Sequence, residues 1–173
     1  MMKTKATSVF YKNIYFIVII AISIAFLPQF AFGQTANHTV TVIVNPVTVI
    51  NISVGTINLD IPSGATAVVV AGQDQMTVTD QTSTLLWGTN SSLQKITINT
   101  SLAVQKFTVQ AIALSPTVGT AAPAVTLSTT ALDFITNIGR SSGSASVQYT
   151  GIALASQGIG LDSHVITFTI TVQ

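Results

Sequence analysis

SHVITFTITVQ, residues 163–173, is the stretch that decides the fold. Ile166, Phe168, Ile170 and Val172 fall on one side of an extended chain, and Thr167, Thr169 and Thr171 fall on the other. Side chains in a strand alternate with a period of two, so the pattern predicts a strand with an apolar inner face and a threonine outer face. The same alternation recurs upstream. Gln94–Thr100 places Ile96 and Ile98 inward and Lys95, Thr97 and Asn99 outward. Gln105–Leu114 carries Phe107, Val109 and Ala111 on one face, and Ala145–Leu154 is a strand around Val147 and Tyr149.

Between these strands the chain is punctuated by turn residues. Further short strands are predicted at Ile57–Ile61, Ala65–Ala71 (buried on both faces), Met76–Thr79 and Val125–Leu127, with a new element opening at Leu85-Leu86-Trp87. Gly88–Ser92 is expected to be a hairpin loop, Ser115–Ala124 a surface loop, Ser141–Ser144 a turn and Gln157–Gly160 a loop. Leu132, Ile135 and Ile138 recur at three-residue spacing, which predicts a helical turn over residues 131–139. The expected fold is therefore all-β: an antiparallel β-sandwich, immunoglobulin-like or fimbria-like, with at most that one short helical turn. A membrane β-barrel needs aromatic girdles. After residue 33 the chain offers only Trp87, Tyr149 and three phenylalanines, so the sandwich is preferred.

Before the first punctuation lies a ribbon, His38–Ser53. Val40, Val42 and Val44 alternate with Thr39, Thr41 and Ile43; Asn45-Pro46 interrupts, and Val47, Val49, Ile50 and Ile52 resume. Pro46 implies a bend or an edge position. Two readings of the ribbon stand side by side. It is the first strand of its own sheet, or a strand free to complete the sheet of a neighbour.

Upstream of the ribbon, Lys3, Lys5 and Lys12 precede an apolar run from Ile14 to Leu27, then Pro28 and the small-residue site Ala31-Phe32-Gly33. This is the pattern of a secretory signal peptide over residues 1–33, cut before Gln34. An uncleaved anchor is the competing reading, since the run approaches the length of a bilayer span. No acid precedes Asp60 and no cysteine occurs anywhere, which argues against a pilin-type leader and a lipoprotein. Export through this segment leads to the cell surface, the periplasm or the medium, as a single 34–173 domain with no stable membrane span after cleavage.

Residues 34–173 are enough chain for a two-layer core. Without cysteines that core is held by packing and strand pairing, and thiol catalysis, iron–sulfur clusters and cysteine-bound zinc are excluded. Lys95, Lys106 and Arg140 stand against five aspartates, a formal charge of −2 where the full chain has +1. There is no basic stripe to neutralise phosphates, so nucleic acid is not an expected partner.

Candidate chemistry is sparse. His38 and His164 are the two histidines, and neither has an acidic partner placed by sequence; a solvated strand end suits them better than a metal pair. Asp74 and Asp80 bracket a polar stretch, but their spacing matches no calcium loop, and turn or cap roles are preferred. No nucleophile elbow, HExxH or phosphate loop is present, and there is no glutamate. The chain is read as a non-enzyme without cofactors. Trp87 is the single tryptophan, and it is either a core residue or a stacking platform for a sugar. Asn37, Asn51, Asn90 and Asn99 begin Asn-x-Ser/Thr sequons.

In strand pattern and composition the chain resembles secreted bacterial fimbria-like and immunoglobulin-like surface modules. Two functions follow from the residues. The first is an exported structural or assembly protein of a surface appendage, coat or matrix, which partners other copies of itself or surface proteins through Val40, Val42, Val44, Val47 and Val49. The second is an extracellular binding module that recognises carbohydrate or another surface protein with Trp87 and Asn90 and the loops Gly88–Ser92, Ser115–Ala124 and Gln157–Asp162.

Overall fold

Alternating burial runs through the structure as it does through the sequence. The computed structural model describes residues 34–173, so the expected signal segment lies outside the described residues. The chain divides into two units, Met1–Val42 and Ile43–Gln173. Of the first, residues 34–42 carry no strand, and Val40 and Val42 are 73% and 81% exposed.

The second unit is built from nine strands and one 3-10 turn. The strands are β1 (Thr48–Ile52), β2 (Gln75–Thr89), β3 (Gln94–Thr100), β4 (Thr108–Leu114), β5 (Thr120–Ala121), β6 (Val125–Thr126), β7 (Leu132–Ile138), β8 (Ser141–Leu154) and β9 (Ile166–Val172). They form two antiparallel sheets, ordered β1-β2-β8-β4-β6 and β5-β7-β3-β9. All-β architecture is thus established, and no helix of the described residues is long and apolar enough to cross a membrane.

The inner faces of both sheets share one core. Leu85 and Trp87 of β2, Ala111 of β4 and Val147 and Tyr149 of β8 meet Ile96 and Ile98 of β3 and Phe134, Ile135 and Ile138 of β7. Burying an aliphatic or aromatic side chain of this size stabilises by roughly 1.5–3 kcal/mol each, which is what a cysteine-free domain has to rely on. Trp87 packs against Gly143, its partner across β2 and β8, where an added Cβ would lie 2.5 Å from the indole. Threonines occupy the outward positions Thr167, Thr169 and Thr171 of β9 and Thr97 of β3, where a β-branched hydroxyl side chain suits a strand that faces water.

Several sequence expectations need correction. Leu132–Ile138 is a strand, not a helical turn. Its pairing with β3 is irregular: Ile96 faces Ile135 but Thr97 faces Asp133, so Phe134 and Ile135 are buried in succession. Asn137, at φ 57, then re-aims the chain so that Ile138 also points inward. Bulges, not helical turns, make the three-residue spacing. The run Ala65–Ala71 is no buried strand. It makes one isolated bridge, Val68 to Thr77, and Val68, Val69 and Val70 remain 54%, 53% and 45% exposed. Ile57–Ile61 also lacks strand structure, and Ile57 and Leu59 pack as loop residues on the core.

Met76–Thr79 and Leu85–Trp87 belong to one strand, β2, which continues through a bulge between Asp80 and Ser83. Gly88–Ser92 is not a hairpin loop, because β2 and β3 lie in different sheets and the segment crosses between them. Ser141–Ser144 is part of β8, and the loop Ser115–Ala124 includes the two-residue β5. The long ribbon His38–Ser53 contracts to β1, Thr48–Ile52.

Candidate functional site

Burial closes the core unevenly. The inward residues of β3 (Gln94, Ile96, Ile98 and Thr100) are all buried, whereas Ile166, Phe168 and Ile170 of β9 are only half-buried. β9 pairs along its whole length with β3, from Gln94–Val172 to Thr100–Ile166, and stands last in its sheet. Phe168 reaches the core against Phe134, ring centroids 5.5 Å apart. One flank of the core is therefore lined by an edge strand whose apolar side chains still meet water.

Edge strands are normally blunted by charge, proline, bulges or shortness. The outer edges formed by β5 and β6 are two residues long each. β1 has five residues and follows Pro46. β9 has seven residues, no charge, no proline and a regular register. The outer-face ion pair of this sheet, Lys95 with Asp133 at 2.8 Å, joins β3 to β7, on the side away from that edge. Solvent screens such a pair, so it is worth at most about 1 kcal/mol.

The start of the second unit is fixed by one side chain. Asn90 Oδ1 accepts the Val47 N–H at 2.7 Å, and Asn90 Nδ2 donates to the Asn45 carbonyl at 2.8 Å. The Asn90 N–H donates in turn to the Val47 carbonyl at 3.1 Å. Pro46 has no N–H to satisfy, and this clamp serves the Val47 N–H and the carbonyls of Asn45 and Val47. Upstream of the clamp, Ile43 and Val44 are 77% and 75% exposed.

The expected assembly residues thus divide. Val49 lies in β1 opposite Gly88, and Val47 is held by Asn90, so both belong to their own domain's structure. Val40, Val42 and Val44 stay outside any strand. Asn90 is a structural clamp, and its sequon nitrogen is already engaged. Trp87 is 3% exposed, so its ring presents no face to a sugar, and its Nε1 is buried without a partner. An open groove at this position is lined by Val49, Asn51, Leu86, Trp87, Ser142 and Gly143.

Three aspartates brace the local backbone. Asp74 accepts from the Ser156 N–H and hydroxyl, and Asp80 from the Thr82 N–H and hydroxyl. Asp162 Oδ2 accepts the Lys106 and Phe107 N–H groups at 2.7 and 2.8 Å, while Lys106 Nζ donates to the Ile159 carbonyl. Within this braced pair of loops Val104, Ile159 and Leu161 stand 85%, 100% and 91% exposed. His164 Nδ1 meets the Thr100 hydroxyl at 3.1 Å. Burial lowers the His164 pKa, and the nearby Asp162 partly offsets this. Burial, with a smaller contribution from Asp80, pushes the Tyr149 pKa up to about 12.

Sequence reasoning missed the β9 edge as a site. The signal was present in residues 163–173, but alternation alone does not tell an edge strand from a central one. No family model matches the chain, and no curated protein matches it.

Proposed function

We propose that this protein is a non-enzymatic, exported structural subunit of the cell surface, part of an appendage, coat or matrix, which assembles through its N-terminal strand. The leader pattern read in residues 1–33 supports export from the cytoplasm, and an immunoglobulin-like or fimbria-like module is the form of domain it would contribute. The observation that carries the reading is the strand-forming sequence Thr39–Val44, whose Val40, Val42 and Val44 are 73%, 81% and 75% exposed and belong to no sheet. Exposed alternating apolar residues of this kind gain most by joining another sheet. The neutral Thr- and Ser-rich surface suits a subunit that must assemble over a range of pH and salt.

The test compares residues 34–173 with residues 45–173 by light scattering and negative-stain microscopy. The shorter chain keeps the Asn90 clamp and β1. Polymers or oligomers from the longer chain and folded monomers from the shorter one support the proposal. A monomer from both refutes it.

A further inference from the structure

We infer that the free edge of β9 is the acceptor for residues His38–Val44 of a second copy of this chain, which adds as an antiparallel strand with Thr41 opposite Thr169. The inference rests on the assembly reading above and names the surface that receives the strand.

The two segments match in kind at five of seven positions, the exceptions being His38 opposite Val172 and Ile43 opposite Thr167. Both are seven residues long and free of Asp, Glu, Lys, Arg and Pro. With Thr41 opposite Thr169, the antiparallel register sets Val40 against Ile170, Val42 against Phe168 and Val44 against Ile166. These are the half-buried inner residues of β9, packed on the core from a strand whose outer edge pairs with no further strand. On the other face Thr39 meets Thr171 and Thr41 meets Thr169, which extends the threonine row that β9 already shares with Thr97 of β3. Directly opposed β-branched and threonine pairs of this kind stabilise antiparallel sheets.

Polarity gives independent support. β9 runs from the end where Ile166 pairs with Thr100 to the end where Val172 pairs with Gln94, next to the Asn90 clamp. An antiparallel donor puts its Val44 beside the acceptor's Ile166, so the donor's clamp end meets the opposite end of the acceptor. That opposite end carries the loops on which Val104, Ile159 and Leu161 are 85%, 100% and 91% exposed, although hydrogen bonds hold those loops firmly. One head-to-tail contact covers both the uncovered strand edge and these aliphatic tips. Such a contact is heterologous and repeats into a filament or ring.

Absence of cysteine from the chain makes the test direct. Residues 34–173 are made as single-cysteine variants, and Thr39→Cys protein is mixed under mild oxidation with Thr171→Cys, Thr167→Cys or Asn51→Cys protein. Directly opposed strand residues approach closely enough for a disulfide. The expected result is a covalent heterodimer with Thr171→Cys alone, suppressed by excess peptide of residues 38–44. Val42→Asp should weaken self-association by at least about tenfold, the burial free energy of one valine. Association that persists with crosslinking to Thr167→Cys or Asn51→Cys overturns the β9 assignment and leaves the assembly reading intact. So does closure of a Thr39→Cys/Thr167→Cys double variant within one chain. A monomer by light scattering before any oxidation overturns the assembly reading itself.

Discussion

Gly143→Ala probes the packing on which the whole second unit depends. A Cβ at this position would stand 2.5 Å from Cε2 and Cζ2 of Trp87 and 2.7 Å from its Nε1. Trp87 is 3% exposed and sits in the shared core, so the indole cannot swing into solvent to relieve the overlap. Overpacking of this kind costs about 1–3 kcal/mol, and loss of glycine's freedom in the unfolded chain returns only about 0.4–1 kcal/mol. The expected net loss is about 1–2 kcal/mol, or roughly 3–10 °C in Tm for a domain of this size. Trp87→Phe removes the indole atoms that the methyl would strike. In that background Gly143→Ala should cost close to nothing, a coupling of about 1–2 kcal/mol in the double-mutant cycle. Urea unfolding followed by far-ultraviolet circular dichroism measures all four proteins, since the cycle deletes the only tryptophan. Additive costs would refute the placement of Trp87 over Gly143.

Three further outcomes follow from the geometry. Residues 34–173 contain one tyrosine, so tyrosinate absorbance in that fragment reports Tyr149 alone. Its midpoint should lie near 12 and fall in Asp80→Asn. Because the folded state holds that proton more tightly than the unfolded chain, stability should fall as pH rises from about 10 toward the folded value. His164 has the opposite consequence: a lowered pKa means that the folded state disfavours the proton. Stability should fall as pH drops below about 6.5, and His164→Gln should flatten that part of the profile. Asn90→Ala removes both side-chain bonds to Asn45 and Val47. It should cost about 1–2 kcal/mol and raise hydrogen exchange at Val47 without unfolding β3.

Much of the fold was legible because the strongest signals were periodic. Residues 166–172, 94–100 and 108–114 alternate cleanly, and each is a strand. The failures share one cause. Where a bulge breaks the period, as at Phe134–Ile135, the pattern imitates a helix; where a bulge lies inside β2, one long strand looks like two. Val68–Val70 shows the converse, since these strand-forming residues make only a single bridge, Val68 to Thr77, to the edge of β2 beside them. At the candidate site, the sequence marked Val40, Val42 and Val44 but could not separate them from Val47 and Val49. That division depends on Asn90, more than forty residues away. Which strand is an edge is a property of topology, so β9 emerged only from the sheet order.

The central claim is that the segment before Asn45 joins copies of this chain. Size-exclusion chromatography with light scattering on residues 34–173 and 45–173, at matched concentration, tests it most directly. The account predicts concentration-dependent oligomers for the longer chain and a folded monomer with the same circular dichroism for the shorter one. Identical association states for the two chains would contradict it.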